Sequence, residues 1–157
     1  MLQAQYKVYG AAFFMDCATI MGVTVTPFII FNQLGGGAAA SGAVTALQNV
    51  TFGGACLFMA PLLALSKNTL RWAVVAAIAF ALLYPMASFF NSVFGYGLFV
   101  VLAHGMLSVY WPALHSWLGG VPDLAQRKRY MAGFNVAWTL GILAGPAIAG
   151  QLYAYGY

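Results

Sequence analysis

Charge is confined to eight positions in this chain, and their spacing constrains the fold more than any other feature. Lys7, Asp16, Lys67, Arg71, Asp123, Arg127, Lys128 and Arg129 leave uncharged runs from 17 to 66, from 72 to 122 and from 130 to the end. With 63% hydrophobic and only 5% charged residues, such runs exceed what a water-soluble core can use, since soluble domains carry about 25% charged residues. Roughly 20 apolar residues cross the hydrocarbon layer. Two long runs broken once each, and one short run, therefore predict five spans.

The breaks fall where glycine and polar residues gather. Gly35-Gly36-Gly37 divides the first run, and the segment from Asn91 to Gly97 divides the second. The expected helices are about 8–32, 41–66, 72–90, 96–118 and 130–154, in a single membrane domain covering 1–157. The fold class is all-α, a polytopic membrane helix bundle. All six basic residues then lie on one side, which by the positive-inside rule is cytoplasmic. Lys67 and Arg71, and then Arg127, Lys128 and Arg129, act as topology signals. The N-terminus is cytoplasmic, and Tyr153, Tyr155 and Tyr157 fall in the opposite aromatic belt.

The net charge of +4 is explained by this asymmetry and does not call for nucleic acid. A cleaved leader is not expected either, because the first apolar region contains Asp16 and runs too long. Cys17 and Cys56 fall within spans and read as packing residues.

The stretch 137–150 of the fifth expected helix is built for close neighbours. Ala137, Gly141, Gly145 and Ala149 recur every four residues, so one face is nearly bare of side chains and admits another backbone. Pro146 removes a backbone donor in the same stretch, which predicts a bend and a neighbour that re-satisfies the freed carbonyl.

Asp16 is the acidic residue inside a span. It lies about 13 Å along the helix from Lys7, deep in the hydrocarbon. A carboxylate at that depth is expensive and marks a functional site, here a candidate for proton coupling, unless hydroxyls and amides hold it structurally. Thr19 lies near its face. On the fourth helix, His104, Ser108, Trp111 and His115 share one face through i, i+4, i+7 and i+11 spacing. With Thr19, Asn135 and Thr139 they are candidates to line a solute cavity. Interhelical hydrogen bonding is the alternative for these groups, and the expected role of Gln48 or Asn49. The third helix, without a polar stripe, is expected to face lipid.

No combination of nucleophile, base and orienting group is evident, and two histidines with one aspartate on separate helices are too sparse for a metal site. Enzyme, cofactor and metal are therefore not expected.

These residues resemble the major facilitator superfamily, over its N-terminal half. Gly141-x-x-x-Gly145-Pro146-x-x-Ala149-Gly150 is similar to the Gly-Pro motif of that family's fifth helix, with Ala149 where a second glycine is usual. The longer antiporter form places glycine where Ala132 stands, so antiport is not implied. Trp111-Pro112-Ala113-Leu114, the basic triplet and Gly133-Phe134-Asn135 resemble the passage from fourth to fifth helix in many bacterial members. Asp16 with Pro27 is similar to a common first-helix pattern. Ser66 stands where the family has an acidic residue, with Lys67 and Arg71 as partial basic matches.

The resemblance implies a half-transporter in a bacterial inner membrane. Its fifth helix would gate against a missing second half, and carriers of this kind rock two halves about a midplane site. Two functions follow as expectations. One is half of a secondary carrier for a small solute, completed by self-association or another chain. The other is a transport-inactive accessory or assembly subunit of a larger membrane complex.

Overall fold

Uncharged apolar segments inside a bilayer satisfy their backbone groups by closing them into helices. In a computed structural model, which describes residues 2–155 and the side chains of 5–155, five helices and no strand are found among the described residues. They are α1 Leu2–Asn32, α2 Ala38–Ala64, α3 Thr69–Ala87, α4 Val93–Gly119 and α5 Leu124–Ala154. All five are long and apolar enough to cross a membrane. The chain is thus a polytopic helical membrane protein.

The helices start earlier than the sequence patterns imply. α5 begins six residues before the expected 130 (130 − 124), so Arg127, Lys128 and Arg129 occupy its first turns, not a loop. Asp123 explains the early start: its carboxylate caps the helix by accepting from the Ala125 amide at 3.1 Å. Similarly, Asn68 accepts from the Arg71 amide at 3.4 Å and opens α3. The break between α3 and α4 precedes the expected one. Gly95 and Gly97 lie within α4, where Gly97 lets the Val44 side chain approach.

α1 ends in a left-handed turn. Gly35 has φ of +65° and Gly36 donates back to the Ile30 carbonyl at 2.8 Å, a helix stop that glycine makes without strain. Five of the six prolines do not end helices. Pro27, Pro61, Pro85, Pro112 and Pro146 all lie inside their elements.

The contacts divide the chain into two compact units, residues 1–28 with 120–157 and Ile29–Gly119. In the first, α1 turns Tyr9, Phe13, Asp16, Cys17, Ile20 and Met21 towards α5. α5 supplies Phe134, Gly141, Gly145 and Ala149. In the second, α4 packs against both α2 and α3. Ile30, Val44, Ala87, Tyr96 and Val100 form its core.

Both units bury polar and small residues beside apolar ones such as Ile30 and Phe134, and leave many large apolar side chains exposed. Phe14, Leu57, Phe58, Ile78, Phe94 and Leu143 are exposed, while Asp16, Gln48, His104 and Ser108 are buried. This arrangement suits lipid as the solvent, because tails compete equally for apolar side chains and small residues gain by close packing.

Candidate functional site: a buried carboxyl on a glycine seam

The small-residue face of α5 has an occupant within this chain. A methyl group built on Gly141 would strike the Phe13 carbonyl oxygen and lie 3.0 Å from Asp16 Cβ and 3.1 Å from the Cys17 amide. One built on Gly145 would lie 2.9 Å from the Cys17 carbonyl oxygen and 3.2 Å from the Met21 amide. Backbone atoms cannot step aside, so only glycine permits this approach of α1. Further along, the Tyr9 ring covers Gly133, and the Phe28 and Tyr153 rings meet at 5.2 Å. Ala137 is half-buried and Ala149 buried, while Pro146 and Gly150 are exposed. The row that suggested a surface for an absent counterpart is the seat of α1.

Asp16 stands on this seam. It is 5% exposed, and its Oδ2 is buried with no hydrogen-bond partner among the described residues. The hydroxyls that a structural carboxyl would recruit are engaged elsewhere. Thr19 Oγ1 donates to the Met15 carbonyl at 2.8 Å, and Thr26 Oγ1 donates to the Gly22 carbonyl at 2.8 Å. On α5, Asn135 and Thr139 are exposed. They project from the side of α5 away from Gly141. A buried polar atom left unmet destabilises a fold by about 1–3 kcal/mol.

The fourth-helix stripe behaves differently. Gln48 of α2 and His104 of α4 are both buried, with Gln48 Nε2 3.1 Å from His104 Nδ1. The Val100 carbonyl oxygen is also 3.1 Å from Nδ1. An unprotonated Nδ1 accepts from the amide; a protonated one donates to Val100 or, after an amide turn, to Gln48 Oε1. When Nδ1 accepts from the amide, or donates to Gln48 Oε1, α2 is tied to α4. The Tyr84 ring lies 6.2 Å from the imidazole. Ser108 Oγ donates to the Gly105 carbonyl at 2.6 Å, Trp111 is half-buried and His115 is exposed with Nδ1 2.8 Å from the Trp111 carbonyl. Ser108 thus gives its hydroxyl to its own helix, and His104 is met by Gln48 and by the Val100 carbonyl.

No family model, curated protein or solved structure matches this chain. Its chemistry must be read from the residues themselves.

Sequence reasoning placed Asp16 at depth and anticipated interhelical bonding by one of the adjacent amides. It did not pair Gln48 with His104, since no sequence rule sets the register between α2 and α4. Asn49, the other amide, is exposed and donates to the Thr45 carbonyl at 2.9 Å. Cys17 is buried on α1 and Cys56 half-buried on α2, both as free thiols. Among the described residues, no group of three or more His, Cys, Asp and Glu side chains is placed to hold a metal. Lys67, Arg71, Lys128 and Arg129 are exposed, and Arg127 Nε donates to the Val121 carbonyl at 2.9 Å.

Proposed function

We propose that this chain is half of a secondary-carrier-like membrane protein that moves a small solute, with Asp16 as the group coupling solute movement to protons. The observation that carries the reading is the buried Asp16 Oδ2 without a partner. A carboxyl held by fixed hydrogen bonds serves the fold. One kept in a membrane span with an open valence can exchange a proton with a solute or with entering water, and such residues mark transport pathways.

The glycine seam supports the same reading. It holds α1 against α5 through backbone contacts, so Asp16 sits on a stiff pair of helices and its position does not depend on adaptable side chains. The five spans and the resemblance to the N-terminal half of major facilitator carriers supply the architecture. Completion requires a second half, either another copy of this chain or another membrane subunit.

The test is reconstitution of the purified chain into liposomes containing a pH-reporting dye. Amino acids, sugars, organic cations and organic anions are then added in turn. At least one class should drive proton movement in the wild type, and Asp16→Asn should abolish it. Unchanged solute-linked proton movement in Asp16→Asn removes the coupling role. A chain inert toward every class, and recovered in mild detergent only as a stoichiometric member of a larger complex, is instead an accessory subunit.

A further inference from the structure

The connection between α2 and α3 encloses a cavity of about 450 Å³, lined by Ser66, Lys67, Asn68, Arg71, Trp72 and Val75. Its position is set by the spans. The span-length apolar helices α2 and α3 end and begin at Ala64 and Thr69, so in a bilayer crossed by both the cavity would lie at the membrane–water boundary. Its lining combines a hydroxyl, an amide and two cationic side chains with the indole of Trp72 and the apolar Val75.

The two cations have nothing in their own unit to neutralise them. No Asp or Glu occurs anywhere in Ile29–Gly119, and no ion pair forms among the described residues. The polar groups that could have compensated are already engaged: Asn68 Oδ1 accepts from the Arg71 amide, and Ser66 Oγ accepts from the Asn68 amide at 3.4 Å. Lys67 and Arg71 thus line the cavity as exposed cations without an acidic residue in their own unit. The other basic cluster differs, because Arg127 is bonded to the Val121 carbonyl and Asp123 precedes it in sequence.

We propose that this cavity binds the headgroup of an anionic phospholipid. The phosphate sits between Lys67 and Arg71, and the glycerol and first chain carbons lie against Trp72 and Val75. Guanidinium and ammonium groups together suit a phosphate, Arg through its fork and Lys as a point charge. Trp at the headgroup level is placed as interfacial indoles are. The apolar part of the lining, Trp72 and Val75, favours a tethered phosphate over a free one, because inorganic phosphate carries nothing apolar to set against it. The proposal is independent of whether the chain transports anything.

The test is native mass spectrometry of the full chain in mild detergent, titrated separately with phosphatidylglycerol, phosphatidylcholine and inorganic phosphate. The expected result is one phosphatidylglycerol bound roughly 30-fold more tightly than phosphatidylcholine, about fivefold for each basic residue. Lys67→Gln with Arg71→Gln should erase that preference, and Lys128→Gln with Arg129→Gln should preserve it. All four positions are exposed, so the changes leave the packing untouched. Equal binding of the two lipids, or a preference that survives the Lys67 and Arg71 changes, overturns the proposal. Inorganic phosphate displacing phosphatidylglycerol at equal concentration also overturns it, showing a free-anion site.

Discussion

Two buried polar positions in this molecule face the same physical problem and resolve it in opposite ways. In the unit formed by Ile29–Gly119, Gln48 and His104 meet across α2 and α4 at 3.1 Å. In the unit formed by α5 and most of α1, Asp16 is equally buried, yet Oδ2 meets nothing. The first arrangement uses polarity to fix a helix pair. The second fixes its helix pair by glycine packing and leaves polarity uncommitted. Where packing alone secures a seam, a carboxyl on it is free for chemistry.

The strongest way to break this comparison is to remove the glycine seam. Gly141→Leu should separate α1 from α5 and cause the largest loss of thermal stability in detergent, at least the ~1–3 kcal/mol typical of overpacking. Gly150→Ala, on the same helix but with open space around it, should leave the melting temperature unchanged. Equal effects at the two positions would show that the seam does not hold the helices.

Next in size is the amide–imidazole tie. His104→Ala strands the Gln48 amide and should lower stability by about 1–2 kcal/mol. The double change Gln48→Leu with His104→Phe should lower it by less than the sum of the single changes, with a coupling near 0.6 kcal/mol and at most about 1.7. Strict additivity would deny the bond a role.

Asp16→Asn should alter stability least among the buried positions, or raise it, because the carboxyl contributes no hydrogen bond through Oδ2 that the fold would lose. A drop comparable to that of His104→Ala would place Asp16 among the structural groups. Asn49→Ala removes an exposed side chain bonded only within its own helix, and its effect should stay within about 0.5 kcal/mol. It sets the floor against which the other three are read.

The helices and their order were legible because charge and glycine punctuate the chain so sparsely. Helix starts were less so. Asp123 and Asn68 are caps, and a cap pulls a helix beyond the apolar boundary that hydropathy detects. The four-residue period of Gly141, Gly145 and Ala149 declared a packing face, but not its occupant. That occupant is α1, because Phe13, Cys17 and Met21 present the backbone that the missing side chains admit.

That Asp16 turns inward was legible from the expense of a carboxylate within a span. Its lack of a partner was not, since Thr19 and Thr26 offered hydroxyls on nearby positions and both instead bond back to their own helix. The fourth-helix stripe read as a cavity wall because spacing reports a shared face and says nothing about what covers it. Gln48 covers His104, a fact that depends on the register of two helices far apart in sequence.

The measurement that tests the central claim most directly compares two variants in one assay, solute-driven proton movement in liposomes per folded molecule. Asp16→Asn should abolish the movement while keeping wild-type stability. Gln48→Leu with His104→Phe should keep the movement while losing stability. The reverse pattern, with proton movement surviving in Asp16→Asn and lost in the double variant, would contradict the assignment of chemistry to the unpartnered carboxyl and structure to the amide–imidazole pair.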